Sequence, residues 1–153
     1  MSEAQWTHRP PPELDVEMAA QWHGEPATPA ELTGLRRQLR AALQNGSLPG
    51  GDDDDAERLL LAFEELASNG LRHGAPPVRV VVTATISGWL LEVSDAAVDR
   101  PPSPAIGRDA ARGGLGLYLV AQLCATHGWA VRGDRKHVWC CILGASAEPV
   151  PTG

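Results

Sequence analysis

The sequence predicts an α+β sandwich, one sheet with helices grouped on one face. Three observations predict it. The elements follow the order β-α-α-β-β-α-β-β. Two pairs of segments rich in β-branched and aromatic residues are joined by short turns containing glycine, the pattern of antiparallel hairpins. Two helices open on capping signals, and helices set among antiparallel strands need a shared sheet face to cover. At 153 residues the chain is expected to be one domain, long enough to bury a core without disulfide or metal staples.

The elements are justified in turn. Residues 1–12 contain the run RPPP and little apolar periodicity, so they read as a mobile N-terminal tail. The domain is then expected over 13–145, with 146–153 a C-terminal tail. From Leu14 to Trp22 the alternation of Leu14, Val16 and Met18 predicts a strand. TPAE at 28–31 starts a helix: Thr28 suits the N-cap, Pro29 the first helical position, and Glu31 a capping box. That helix should stop near Asn45-Gly46. Asp52 to Asp55 invite a metal-site reading, but aspartates at a helix start cap it and complement its dipole, which is the stronger explanation. The second helix runs to His73 and ends at Gly74, and Pro76-Pro77 prevents continuation. VRVVVTATI and WLLEVSD form a hairpin about Ser87-Gly88. Residues 96–112 are a long loop, a length that compact domains usually keep for function. GGLGLYLVAQLCATHG reads as glycines opening a third helix that ends near Gly128, and WAVRG with HVWCCIL as a last hairpin about Gly133-Asp134.

Composition excludes several classes. The net charge is -6 and the pI about 5.3, without the basic patch that nucleic-acid phosphates attract. No apolar run approaches the roughly 20 residues of a membrane helix, and no basic-then-apolar leader is seen at the N-terminus. Cys124, Cys140 and Cys141 are odd in number, two are adjacent, and no pair has zinc-ligand spacing. They read as small core residues of a protein in a reducing cytoplasm.

Three stretches could carry chemistry. On the second helix, with about 100° per residue from Phe63, the residues Leu59, Leu60, Leu66, Ala67 and Gly70 form the core arc. Glu65 and Asn69 fall together on the opposite side, about 40° apart, whereas Glu64 falls off this stripe and His73 drifts toward the core edge. A carboxylate can take a proton from a hydroxyl nucleophile, and an amide oxygen one turn away is a hard ligand for magnesium. Alone, the pair reads as helix surface. The second stretch, GGLGL at 113–117, puts Gly114 and Gly116 before an apolar helix, where backbone amides can cradle an anion. It is neither a Walker A loop, since no GK[ST] follows, nor a Rossmann fingerprint. In the third, Asp95 ends a strand at the start of the long loop, where a carboxylate could accept a hydrogen bond from an adenine amine.

In this order the three stretches, followed by KHVW in a strand, resemble the GHKL ATPases, and most closely the short bacterial anti-sigma-factor serine/threonine kinases. ELASNGLRHG is similar to that branch's N box, and the resemblance covers about residues 12–145. It implies the histidine kinase-like two-layer α/β sandwich, with a mixed, mostly antiparallel sheet. It implies Glu65 as general base, Asn69 as magnesium ligand, and Asp95 on the adenine amine. Gly114, Leu115, Gly116 and Leu117 would form the box that meets the phosphates of ATP, with residues 96–112 as its lid. His137 stands where the family often has a threonine near the adenine. The family's D-x-G-x-G is here Asp95-Ala96-Ala97-Val98-Asp99, which removes backbone freedom beside the base.

The function implied is an ATP- and Mg2+-dependent protein serine/threonine kinase and anti-sigma factor acting by partner switching. It would phosphorylate a small antagonist protein and sequester a sigma factor, with no direct nucleic-acid or membrane contact, and the resemblance suggests a homodimer. The alternative is a catalytically degenerate module that binds ATP or only sequesters a regulatory partner; the altered glycine box favours it, and retention of Glu65 favours the kinase. A small-molecule hydrolase finds no nucleophile constellation, because Ser68 and Ser94 sit in no triad context.

Overall fold

The computed structural model describes residues 6–13, 20–102 and 115–144. Among the described residues eight elements follow in the expected order: β1 (Gln21–Gly24), α1 (Pro29–Gln44), α2 (Asp53–His73), β2 (Arg79–Thr85), β3 (Gly88–Asp95), α3 (Leu115–Leu123), β4 (Thr126–Arg132) and β5 (Arg135–Leu143). The strands form one sheet in the order β1-β2-β3-β5-β4, and every strand pair is antiparallel. Among the described residues the parallel component reduces to one bridge, His8 with Trp129. Among the described residues no helix is long and apolar enough to cross a membrane.

Local chemistry explains the helix starts. The Glu31 amide donates to Thr28 Oγ1 at 3.1 Å and Pro29 occupies the first turn of α1. The Glu31 carboxylate takes the Thr28 hydroxyl at 3.2 Å, so this box closes side chain to side chain. The reciprocal box forms at α2: Asp55 N donates to Asp52 Oδ1 and Asp52 N to Asp55 Oδ2, each at 2.9 Å. The acidic run therefore caps a helix, and the buried Asp55 is also ion-paired with Arg58.

The arc predicted for α2 is the one buried: Leu59, Leu60, Phe63, Leu66, Ala67 and Gly70. It packs on the inner face of the sheet, made by Val80, Val82, Trp89, Leu91, Val93, Val138, Cys140 and Ile142. Cross-strand pairs such as Leu91 with Cys140 and Val93 with Val138 confirm that these residues share a side. Each fully buried large side chain here contributes about 1.5–3 kcal/mol.

Three expectations are corrected. The first hairpin turns on Ile86 and Ser87, one residue earlier than Ser87-Gly88, since Thr85 pairs with Gly88. Gly88 begins β3 at φ 154°, and a Cβ there would lie 1.9 Å from the Ile142 carbonyl oxygen. The third helix ends at Leu123, and Thr126, His127 and Gly128 belong to β4. Gly128 is thus a close-approach glycine: a Cβ would meet Arg9 Cγ at 2.9 Å and Thr7 O and Trp139 Cζ2 at 3.0 Å. The first strand is described only from Gln21, residues 14–19 lying outside the described residues. Within the predicted tail, residues 6–9 lie against β4, with Trp6 buried in the core. The C-terminal tail, 146–153, lies outside the described residues.

Candidate functional site

The site is built along the side of α2 that faces α3 and the end of β3. Glu65 and Asn69 are both half-buried, one turn apart, while Glu64 is exposed and paired with Arg36 at 3.0 Å. The wheel's separation of the two glutamates therefore holds. Among the described residues neither the Glu65 carboxylate nor the Asn69 side-chain amide takes part in a hydrogen bond or ion pair. Glu65 meets the start of α3: a Cβ placed on Gly116 would fall 1.9 Å from Glu65 Oε2 and 2.8 Å from its Cδ. Only a glycine lets the carboxylate and the α3 backbone approach so closely. The structure thus brings together Glu65 and Gly116, 51 positions apart in the sequence.

At its other end α2 stops beside Asp95. A Cβ on Gly74 would lie 2.5 Å from Asp95 Oδ2, and Ala96 N donates to Ala75 O at 2.8 Å. From Glu65 to Gly74 the helix rises roughly 14 Å. The stretch from Gly116 to Asp95 therefore has one end offering helix-start amides and another offering a carboxylate, a layout suited to a phosphate chain and a base. Asn69 lies between the two ends, and its amide oxygen is a hard donor of the kind that would suit magnesium.

Asp95 is only 2% exposed and already engaged. Its Oδ1 accepts from Ala97 N at 2.7 Å and Ala75 N at 3.4 Å, and its Oδ2 lies 3.5 Å from Lys136 Nζ. Lys136, nearly as buried, donates to Arg100 O at 2.6 Å. Arg100 in turn donates to His73 O at 3.3 Å. These bonds fix residues 95–100 against the end of α2. No described residue other than glycine has positive φ, so Ala96 and Ala97 follow this path without left-handed strain.

His137 does not join this site. It pairs with Ser94, whereas Asp95 pairs with Lys136, and alternate residues of a strand face opposite sides. His137 therefore looks away from the helices, on the outer face with Arg135 and Arg132. Burial and these two arginines lower its pKa, against a small opposing influence of Asp95. The residue level with Asp95 on the helix side is Lys136, which sequence reasoning missed. Leu117 is also corrected in part: its side chain is core, so only its main chain can serve a ligand. Leu115 opens α3, and Gly114 with residues 103–113 of the lid and box lies outside the described residues. His73 is exposed at the end of α2, although its wheel position drifts toward the core edge.

A cleft of about 380 Å³ lies elsewhere, on the outer face between Pro11–Glu13 and Val81, Thr83, Leu90, Glu92 and Arg132. It is remote from Glu65 and Asn69, and the carboxylate within it, Glu92, has its pKa raised by burial and partly restored by Arg132.

A five-stranded antiparallel sheet covered by helices, with a carboxylate, an amide and a glycine-opened helix converging on one edge of α2, defines a nucleotide-binding class of two-layer domain. The chain belongs to the histidine kinase-like ATPase domain family, whose model matches residues 26–142. No curated protein matches the chain. Family membership makes the protein an ATP-binding regulatory module.

Proposed function

We propose that the protein is an ATP-dependent serine/threonine protein kinase and anti-sigma factor that works by partner switching in the cytoplasm. The observation that carries the reading is the closure of Glu65 onto Gly116, with Asn69 one turn away. Glu65 would accept the proton of an incoming serine hydroxyl at the phosphate end of the site. Asn69 would hold magnesium, which when bound supplies charge neutralisation for phosphoryl transfer. The backbone amides at the start of α3 would hold the phosphates. The partners are a sigma factor and a small antagonist protein, and a homodimer is the expected assembly; the sequence resemblance supports these.

The test is transfer of radiolabel from ATP to a co-encoded antagonist candidate. Wild type should transfer label to a serine, and Glu65→Ala should bind nucleotide but transfer none. One observation favours a second reading, a degenerate binding module: Asp95 is held by Lys136 and two backbone amides, which competes with its engagement by adenine. Nucleotide binding without transfer to any candidate, by wild type and Glu65→Ala alike, would establish that reading instead.

A further inference from the structure

The N-terminal residues Trp6–Arg9 lie along β4, joined to it by one parallel bridge between His8 and Trp129. Trp129 N donates to Thr7 O at 3.0 Å and Arg9 N to Trp129 O at 2.9 Å. His8 stacks on Trp129 with ring centroids 4.5 Å apart, and the Arg9 side chain donates twice to His127 O, at 3.2 and 2.9 Å. These contacts would suffice to fix an extended tail. Trp6 goes further. It is 6% exposed, lies 4.7 Å from the His127 ring, and directs its indole N–H to Leu117 O at 3.4 Å. Leu117 adjoins Gly116, against which Glu65 is packed. A contiguous line therefore runs from the N-terminal segment through the first turns of α3 to the Glu65 carboxylate.

α3 has only nine residues, too few to hold a helix by propensity, so its position depends on what packs around it. Leu117 and Val120 enter the core, and Trp6 joins the same cluster. The Glu65–Gly116 approach leaves no slack, so a small displacement of α3 changes the distance between the carboxylate and the helix start. We infer that Trp6 is a positioning residue of the nucleotide site, setting the place of the α3 N-terminus against Glu65 from outside the family-matched segment. This inference rests on the proposed nucleotide site.

The test uses the full chain with 5-fluorotryptophan at its five tryptophans. The Trp6 fluorine line is assigned by its loss in Trp6→Phe. Calorimetry first establishes Mg-ATP binding by wild type; its absence overturns the site reading and this inference with it. Given binding, the Trp6 line should shift on saturation with Mg-ATP and should stay fixed in Asn69→Ala under the same addition. Trp6→Ala should bind Mg-ATP about tenfold more weakly, a typical coupling between linked sites, and Trp6→Phe, which keeps a ring in the cluster, should recover most of that loss. A Trp6 line that stays fixed at saturation, or wild-type affinity in a folded Trp6→Ala, overturns the inference while leaving the nucleotide site intact. If Trp6→Ala fails to fold, the behaviour of the wild-type fluorine line decides.

Discussion

Gly116→Ala separates the geometry of the site from the stability of the fold. At an ordinary helical position this change stabilises by about 0.8–1 kcal/mol. Here the new methyl would lie 1.9 Å from Glu65 Oε2, 2.8 Å from its Cδ and 3.3 Å from its Cβ. The Cβ contact can relax by a few tenths of an ångström, but the carboxylate must move by about 1.5 Å to reach ordinary contact with the methyl. Forcing Glu65 from its rotamer costs about 0.5–1.5 kcal/mol, which offsets the helix gain and leaves net stability within about 1 kcal/mol of wild type. A base displaced by more than 1 Å should slow phosphotransfer about 100-fold. Urea denaturation and radiolabel transfer measure the two effects. In Glu65→Ala the clashing Oε2 and Cδ are gone, so adding Gly116→Ala there should be more favourable to stability by about 1 kcal/mol than in wild type. Wild-type transfer by Gly116→Ala, or an identical stability change in both backgrounds, would refute the proposed contact and its role.

Two further predictions concern charge. Lys136→Met leaves the Asp95 carboxylate buried without its cation and should cost about 3 kcal/mol in urea denaturation; an unchanged midpoint and slope would show that the pair does not hold residues 95–100. Glu92 has its folded pKa raised above the ordinary 4.5 by burial, with Arg132 opposing. A carboxyl shifted upward favours the folded state fully below the unfolded pKa and loses that advantage as pH rises through the folded value. Glu92→Gln should therefore raise the melting temperature near neutral pH, with the gain vanishing below about pH 4.5; a gain independent of pH would point to packing instead.

The parts of the fold legible in the sequence are those fixed by local chemistry. Thr28-Pro29, the Asp52–Asp55 run and the Gly74 stop each act within a turn of their own position, and the structure places them as read. The end of α3 was not legible, because LCATHGWAV is mostly apolar with no break before Gly128, which looks like a helix stop. What decides it is pairing of Thr126–Arg132 with β5. Parity was hidden for a related reason: HVWCCIL is apolar on both faces, so nothing local says whether Lys136 or His137 looks toward Asp95. The wheel did place Glu65 with Asn69, since helical periodicity is local. The packing of Trp6 on α3 was not legible, for its partners, the His127 ring and the Leu117 carbonyl, are far away in the sequence. RPPP near the start suggested only a tail.

The central claim is that the Glu65–Asn69 face of α2, closed by the start of α3, is a magnesium-nucleotide site. Isothermal titration of Mg-ATP into wild type and Asn69→Ala tests it most directly. Saturable 1:1 binding by wild type, strongly weakened in a folded Asn69→Ala, is the predicted result. No binding by wild type, or identical isotherms for the two proteins, would contradict it.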